Sequence, residues 1–179
     1  LCDAFADESQ ARNRYTTYGK IAVEEGYQAV AANFALTAEQ EAEHAKWLMR
    51  MIQEIKESEE PVMIETGVAT VLGSTTENLK AAIGGEHHEH QNMYPEYAKV
   101  AEEEGYTAIA KRLLSIAKAE ENHEDRFKKH LVALEHGTMF KAEEAVVWQC
   151  RKCGFMHVGT EAPEECESCG HPQAYFEIK

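Results

Sequence analysis

The sequence places a carboxylate and an imidazole three residues apart in two separate segments. Glu41 precedes His44 in EQEAEHAKWL, and Glu120 precedes His123 in AKAEENHEDRF. Both segments have the composition of helices, and residues three apart share a helical face, so each pair can direct two ligands to one point. A single pair of this kind is most often a solvated contact, but its repetition indicates a metal site.

Carboxylates that face these pairs are expected on the two other long helices of the chain. Glu8 lies in ESQARNRY, and Glu86 and Glu89 lie in GEHHEHQNMY. Two Glu-x-x-His pairs combined with a glutamate from each remaining helix form the ligand pattern of di-metal carboxylate bundles. Such carboxylates would be unstable if buried without cations, and oxygen and imidazole donors suit iron or manganese. The predicted ligands of this di-metal site are Glu8, Glu41, His44, Glu86, Glu89, Glu120 and His123.

An internal repeat relates the two halves of the helical region. The segment YGKIAVEEGYQAVAANF corresponds to YAKVAEEEGYTAIAKRL, and the same offset carries Glu41 onto Glu120 and His44 onto His123. The EEGY of each copy predicts a tight turn in which glycine takes a positive φ at a helix end. The repeat therefore predicts two helical hairpins joined by a crossover, which is a four-helix bundle with one long connection.

One extra residue interrupts the repeat in the third helix. Tyr15 lies seven residues after Glu8, whereas Tyr94 lies eight residues after Glu86. A π-bulge would absorb the extra residue, and such bulges are frequent at functional sites. We therefore predict that the two metal positions are not equivalent. The two tyrosines are either packed in the core with a satisfied hydroxyl or bonded to a ligand carboxylate that they orient.

Three further histidines adjoin the carboxylates of the third helix. On helical spacing, His87 and His88 point away from Glu86, and His90 lies closer to its face. We expect all three histidines to lie on a solvated face of the bundle.

Four of the five cysteines form two C-x-x-C motifs near the end of the chain. Cys150 and Cys153 lie in CRKC, and Cys166 and Cys169 lie in CESC. This spacing predicts a tetrahedral site of four thiolates, and a module of this size needs its metal in order to fold. Zinc and iron both accept four thiolates, so the motif alone leaves the metal open. The glycine after each motif would allow backbone N–H groups to point at the sulfurs, which tunes the potential of an iron centre.

Composition and turn residues predict the elements that position these groups. The Ser74 and Glu77 side chains form the pattern of a capping box at the start of the third helix. We predict a mainly α chain with a long crossover between the second and third helices. The predicted helices cover about residues 3–25, 28–56, 76–104 and 107–136. The predicted domains are a di-metal four-helix bundle over 1–136, a linker over 137–147 and a tetracysteine module over 148–179.

The overall composition excludes several classes of function. The formal net charge is −14, which argues against nucleic acids and anionic membranes as partners because phosphate binding needs basic patches. A hydrophobic content of 44% and a charged content of 28% indicate a folded globular protein. No apolar run is long enough to span a bilayer. Clustered cysteines without signs of secretion favour metal binding over disulfides and lead us to expect a cytoplasmic protein.

Taken together, the motifs resemble those of the rubrerythrin family over nearly the whole chain. The resemblance rests on ESQARNRY, EQEAEHAK, GEHHEHQNMYPEYAKVAEEEGY, AEENHEDRF and CRKCGFMHVGTEAPEECESCGHPQAYFE, in that order. It implies a ferritin-like di-iron domain followed by a rubredoxin-like domain with one iron on four cysteines. It also implies that one iron exchanges Glu89 for His44 when the cluster is reduced. The iron ligands that it implies are Glu8, Glu41, Glu86, Glu89, Glu120 and His123.

The activity implied by the resemblance is a peroxidase activity, in which hydrogen peroxide is reduced to water. Electrons would come from a donor protein, such as a rubredoxin or a reductase, through the rubredoxin-like iron. Glu89, His44, Tyr15 and Tyr94 are the residues that we expect to act in catalysis. The resemblance also implies a homodimer, with or without exchange of helices between subunits. Two alternatives are a ferroxidase that oxidises iron for storage, and a one-electron carrier whose di-metal site is structural.

Overall fold

Five α-helices and one π-helical segment make up the first part of the chain. The computed structural model describes residues 1–179, and the predicted four-helix bundle is confirmed. The third helix of the bundle consists of α3, the π segment and α4 in direct succession. The helices are α1 (Cys2–Glu24), α2 (Gln28–Ile55), α3 (Thr75–His88), the π segment (Glu89–Met93), α4 (Tyr94–Glu103) and α5 (Thr107–Glu135).

Two equivalent turns close the helical hairpins. Gly26 has a φ of 84° and Gly105 a φ of 86°, a conformation that side chains with a Cβ rarely adopt. The next N–H in each turn reaches back to a helix carbonyl, from Tyr27 to Ala22 at 2.8 Å and from Tyr106 to the corresponding alanine at 2.7 Å. This bonding is the Schellman pattern of helix ends. The positive φ that was predicted for both EEGY turns is confirmed.

The third helix of the bundle has the predicted capping box at its start and the predicted π-bulge within it. The Ser74 hydroxyl accepts from the Glu77 backbone N–H, and the Glu77 carboxylate accepts from the Ser74 backbone N–H at 2.8 Å, so the capping box is confirmed. The π segment Glu89–Met93 follows α3 directly and absorbs the residue that interrupts the repeat. Pro95 stands in the first turn of α4.

Apolar clusters pack on both sides of a polar centre within the bundle. One cluster contains Leu48, Tyr94 and Leu113, and the other is built around Phe34 and Phe127, whose ring centroids lie 4.9 Å apart. Truncating a buried phenylalanine to alanine typically removes about 3–5 kcal/mol of stability. These clusters stabilise the helices and thereby fix the positions of the polar side chains between them.

The remaining elements form a small module and the connections to it. Three antiparallel strands lie in the order β2–β1–β3, and Trp148 and Phe176 are buried beneath them. The segment predicted as a linker, residues 137–147, is not irregular throughout, because β1 begins at Lys141 and pairs with β2. The crossover between α2 and α3 contains no helix or strand. The strands are β1 (Lys141–Cys150), β2 (Met156–Glu161) and β3 (Phe176–Ile178).

The module rests against the end of the bundle where α2 begins. The Tyr27 ring stacks on the Phe140 ring, with centroids 6.5 Å apart and planes inclined by 12°. Strand β3 and the 3₁₀ turn before it also contact α2. None of the helices combines the length and apolar character that crossing a bilayer would require.

Candidate metal centres

Five glutamates are buried in the centre of the bundle, an environment that carboxylates avoid unless they are paired. Each of the long helices contributes at least one of them, since they lie on α1, α2, α3, the π segment and α5. No lysine or arginine forms an ion pair with any of them, and two histidines are their nearest cationic partners. The buried glutamates of the centre are Glu8, Glu41, Glu86, Glu89 and Glu120.

The potential ligand atoms form two groups that share two glutamates. Within each group the atoms lie within 4.8 Å of one another, which is close enough for a single ion to contact all of them. Glu41 and Glu120 belong to both groups, so each can bridge two metal positions. The first group is Glu8, Glu41, His44 and Glu120, and the second is Glu41, Glu86, Glu120 and His123.

The two histidines mark the two positions. The Nδ1 atom of His44 lies 3.0 Å from Oε2 of Glu41 and 2.8 Å from Oε1 of Glu120. The Nδ1 atom of His123 lies 3.1 Å from Oε1 of Glu41 and 2.7 Å from Oε2 of Glu120. Each bridging carboxylate thus directs one oxygen towards each histidine. The imidazole rings are nearly parallel, with centroids 5.8 Å apart.

Unsatisfied polar atoms indicate that this centre is built for cations. Both oxygens of Glu120, one oxygen of each other buried glutamate, and Nδ1 of His123 are buried without a hydrogen-bond donor or acceptor. Native proteins rarely leave such atoms unpaired. Oxygen and imidazole donors in this arrangement fit two divalent ions, and the resulting four positive charges would offset most of the carboxylate charge.

The pKa values of the same side chains reflect their burial and the carboxylates that surround them. Burial and the neighbouring carboxylates Glu41 and Glu120 raise the pKa of Glu86 to about 8, against the opposing effect of the nearby His123 imidazole. Burial also raises the pKa values of Glu8 and Glu89 well above their usual range. Divalent ions would keep such groups ionised, because opposite charge favours the carboxylate.

Glu89 differs from the other four glutamates. It belongs to neither ligand group, although its side chain is only 2% exposed and one of its oxygens has no partner. The π segment begins at Glu89, so the local change of helical pitch sets its position relative to Glu86. The two metal positions are therefore surrounded unequally, because no equivalent residue exists on α1.

Tyr15 and Tyr94 connect the helices of the two hairpins through Glu86 and Glu8. We call these two the terminal glutamates because each belongs to only one ligand group. The Tyr15 hydroxyl donates to Oε1 of Glu86 at 2.5 Å, and the Tyr94 hydroxyl donates to Oε1 of Glu8. Both tyrosines are fully buried. Each hydroxyl leaves the second oxygen of its glutamate free to face a metal position, which is the usual role of a hydrogen bond to a ligand.

The four cysteines of the small module converge on one point. The Sγ atoms of Cys150 and Cys169 are 3.8 Å apart, and those of Cys153 and Cys166 are 3.6 Å apart. A tetrahedral ion with bonds of about 2.3 Å to sulfur would separate neighbouring sulfurs by about 3.8 Å. All four thiols are free of disulfide bonds. The sulfurs are thus spaced to bind a single metal ion.

Glycines shape the two turns that carry these thiols. Gly154 and Gly170 have φ angles of 80° and 67°, and their N–H groups donate to the carbonyls of Cys150 and Cys166, each at 2.8 Å. The backbone N–H of Phe155, together with the neighbouring Cys169 thiol, lowers the pKa of the Cys153 thiol to about 6. Against the backbone N–H of His171, burial and the neighbouring thiols raise the pKa of Cys169 to about 12. Ionised thiolates are the form that binds metal.

A third cluster of potential ligands, which the sequence motifs did not indicate, lies on the outer face of the bundle. His87, His90 and Glu124 lie within contact of one another. We expected a solvated face for these histidines, but the His90 side chain is only 7% exposed. Glu124 directly follows His123 on α5 and does not belong to any of the motifs that predicted ligands. Only the packing of α5 against the third helix reveals this cluster.

Comparison with known families agrees with the two centres. The family model for rubrerythrin matches residues 1–131, and the model for the rubrerythrin rubredoxin-like domain matches residues 148–177. Solved structures of nigerythrin are similar to this chain. The mixed-valence form has a TM-score of 0.65 and 27% identity, and the match covers 98% of this chain and 82% of nigerythrin.

Rubrerythrins from several organisms are similar over the full chain. The rubrerythrin of Nitratidesulfovibrio vulgaris is 45% identical over 99% of this chain and 91% of its own length. The rubrerythrin of Porphyromonas gingivalis is also 45% identical, over 99% of this chain and 86% of its own length. With both centres present and both family models matched, the chain belongs to the rubrerythrin family, whose members carry a di-iron site together with a rubredoxin-like iron site.

Proposed function

We propose that this rubrerythrin is a non-haem di-iron peroxidase that reduces hydrogen peroxide to water and serves in oxidative-stress defence in the cytoplasm. The observation that carries the proposal is the pairing of two ligand groups, which share Glu41 and Glu120, with a tetracysteine site on the same chain. The reaction consumes one peroxide, two electrons and two protons and yields two waters. Rubrerythrin-named relatives support an oxidoreductase.

The buried glutamates and histidines supply the ligands for this chemistry. When bound, two ferrous ions would act as Lewis acids and supply one electron each. Glu41 and Glu120 would each be a ligand to both ions, and Glu8 and Glu86 would each be a ligand to one of them. Since the clusters of apolar side chains exclude bulk water from the centre, the carboxylates remain where the helices set them.

His44 and Glu89 are the residues that we assign to the change between oxidation states. His44 lies within one ligand group, and its side chain is 14% exposed, whereas Glu89 lies outside both groups. The family resemblance associates this arrangement with the reduced cluster. With His44 as ligand, the Glu89 carboxyl group is free to hold a proton for the leaving oxygen. Tyr15 and Tyr94 would keep Glu86 and Glu8 oriented throughout.

We assign the peroxide chemistry to residues 1–136 and electron entry to residues 148–179. The module contacts α2 through β3 and the 3₁₀ turn before it, and its residues Arg151 and Glu177 border a cleft with α2 residues from Ala29 to Leu36. Delivery of electrons within one chain would follow this contact, whereas delivery to the bundle of a partner subunit requires a homodimer. In either case a donor protein supplies the electrons.

Exposed apolar surface on the bundle supports a dimer. The crossover exposes six large apolar side chains, and Val62 among them borders a cleft of about 510 Å³. The same cleft is lined by Tyr97, Val100 and Ile109 of the bundle. Contiguous apolar surface of this kind is typical of an association site. The six exposed crossover residues are Val62, Met63, Ile64, Val68, Val71 and Leu72.

A stopped-flow experiment on the fully reduced protein tests the proposed activity. The protein would be mixed separately with hydrogen peroxide and with dioxygen while the absorbances of the tetracysteine iron and the di-iron pair are followed. Oxidation of both centres by peroxide, much faster than by dioxygen and with one peroxide per two electrons, is expected. If dioxygen reacts at least as fast, and added ferrous iron is oxidised and retained, the protein is a ferroxidase. If neither oxidant is turned over, the protein is a one-electron carrier whose di-metal site is structural.

Subunit complementation tests the electron route. The Cys153→Ser variant would lack the tetracysteine iron but keep an intact bundle, and the Glu41→Ala variant would have the opposite defect. Neither homodimer should turn over peroxide with an external electron donor. Mixed dimers, formed by co-expression, should regain activity if electrons pass between subunits. Absence of activity in isolated mixed dimers would instead require delivery within one chain.

A further inference from the structure

The cluster of His87, His90 and Glu124 lies outside both ligand groups of the bundle centre. Nδ1 of His87 is 3.2 Å from Oε1 of Glu124, and Nε2 of His90 is 2.8 Å from Oε2 of the same carboxylate. The two imidazole rings are nearly perpendicular, with centroids 5.3 Å apart. Three potential ligands from two helices therefore converge within 4.8 Å at the side of the bundle.

We propose that this cluster is a third metal-binding site in the bundle, for a divalent transition cation such as Zn²⁺, Co²⁺ or Fe²⁺. Two imidazoles and one carboxylate are an established ligand set for such ions. Bonds of about 2.0–2.1 Å place neighbouring ligand atoms about 2.8–3.0 Å apart in octahedral geometry and about 3.3–3.4 Å apart in tetrahedral geometry. The observed separations of 2.8 and 3.2 Å lie within the span of these values.

The π segment accounts for the position of the cluster. His87 and His90 are three residues apart and share a face of the third helix, and the wider turn that begins at Glu89 brings His90 against α5. Glu124 stands there because it directly follows His123 on α5. The third helix and α5 therefore direct Glu89 and His123 towards the centre of the bundle. The next residue of each helix, His90 or Glu124, lies on a neighbouring face.

Burial and exposure are distributed as an open metal site requires. The Glu124 and His90 side chains are 6% and 7% exposed, which fixes their rotamers, whereas the His87 side chain is 58% exposed. An ion could enter from solvent on the His87 side, and water would complete its coordination. The ligand set thus describes an exchangeable site rather than a closed structural one.

Two neighbouring side chains affect the affinity of this site. The Gln91 amide nitrogen lies 3.1 Å from Nδ1 of His90, and a half-turn of this exposed amide would offer its oxygen to the N–H of a metal-bound ring. The Lys128 ammonium lies 2.8 Å from Oε1 of Glu124 and opposes a second cation there. Lys128 is half exposed, so it can turn into solvent when an ion binds.

Metal stoichiometry on the iron-loaded protein tests the proposal. The full chain, with its di-iron and tetracysteine sites filled, would be equilibrated with Co²⁺ under anaerobic conditions. Bound cobalt and iron per chain would then be measured by mass spectrometry, and the Co²⁺ ligand-field bands by absorbance. One further cobalt per chain, without loss of iron, is expected for the wild type. Cobalt uptake matched by iron release would overturn the proposal, because the cobalt would then occupy an iron site.

Matched histidine variants locate the added ion. His87→Asn and His90→Asn should each abolish or greatly weaken the binding of the additional cobalt ion, and its absorption bands should disappear or become much weaker. His88→Asn changes an exposed neighbour on α3 outside the cluster and should leave both unchanged. The His87 variant is decisive even if the His90 variant folds poorly, since His87 is largely exposed. Retention of the added cobalt in the His87 variant, or its loss in the His88 variant, would overturn the proposal.

Removal of the Lys128 charge should strengthen cobalt binding, whereas the histidine variants should weaken it. Lys128→Gln should lower the Kd for the additional cobalt by about two- to five-fold, as expected from one partly screened like charge. A weaker affinity in this variant would mean that Lys128 supports the bound species, and this result would exclude a cation held by Glu124.

Discussion

Glu41 and Glu120 occupy equivalent positions of the internal repeat and each contacts both His44 and His123. In each of the two carboxylates, one oxygen faces the histidine on its own helix and the other faces the histidine on the opposite helix. The relationship follows from the pseudo-twofold symmetry of two hairpins that meet face to face. It distinguishes the two bridging glutamates from Glu8 and Glu86, each of which belongs to a single group.

Loss of a bridging glutamate should therefore remove both metal positions of the bundle. We expect Glu41→Ala or Glu120→Ala to release both bundle irons, whereas Glu8→Ala should weaken mainly one. The iron content of each purified variant, corrected for the tetracysteine iron by its visible absorbance, measures this. Glu43→Ala removes an exposed carboxylate on α2 and serves as the control. Equal iron loss in the Glu8 and Glu41 variants would contradict the bridging assignment.

The tyrosine hydroxyls should support metal affinity without being ligands. Tyr94→Phe and Tyr15→Phe each remove a buried donor to a terminal glutamate. We expect both irons to bind but with roughly 10–100-fold lower affinity, which is typical when a ligand loses its orienting hydrogen bond. Competition with a chelator measures the affinity. Tyr18→Phe provides the control, since this hydroxyl donates to the Val71 carbonyl in the crossover. An affinity unchanged in the Tyr15 and Tyr94 variants would leave these residues a packing role alone.

The fold was largely predictable because its determinants are local. The EEGY turns, the capping box at Ser74 and the helical periodicity each act over a few residues, and the broken repeat between Glu86 and Tyr94 was sufficient to predict the π segment. The convergence of the predicted ligand side chains also followed from the repeat, because equivalent positions on paired helices face one another.

Features that depend on distant partners were not predictable. Lys141 begins a strand because β2 and β3 are available to pair with β1, and nothing in the composition of residues 137–147 records this pairing. The burial of His90 depends on how the π segment rotates the third helix against α5. Glu124 is a single acidic residue in a chain rich in acids, and only its contact with two histidines distinguishes it.

The tetracysteine module should depend on its metal for structure. Trp148 is fully buried next to Cys150, and the module contains only three short strands. We expect Cys153→Ser to abolish the visible absorbance of the iron and to expose Trp148, detected as a red shift of tryptophan fluorescence. Since Trp47 also contributes to the fluorescence, a Trp47→Phe background isolates the signal. Cys2→Ser, which changes the thiol remote from the module, is the control. Normal Trp148 emission in the Cys153 variant would show that the apolar core suffices.

His130 should make the stability of the protein depend on pH. It lies on α5 near the module, and burial, together with the Arg151 and Arg126 guanidinium groups, lowers its pKa from 6.5 to about 4. The unfolded chain therefore binds more protons than the folded chain between these values, so this group's contribution is complete above pH 6.5 and is lost as the pH falls towards 4. Between pH 6.5 and about 5 the loss is about 1.5 kcal/mol, or about 3–6 °C in Tm.

A His130→Asn variant tests this contribution by difference. We expect its Tm, followed by circular dichroism on the iron-loaded protein, to fall less than that of the wild type as the pH is lowered through this window. Subtraction of the two profiles removes the effect of the carboxylates, which are the same in both proteins. His136→Asn alters an exposed histidine at the end of the same helix and should follow the wild type. Parallel profiles for the wild type and the His130 variant would mean that His130 titrates alike in the folded and unfolded chains.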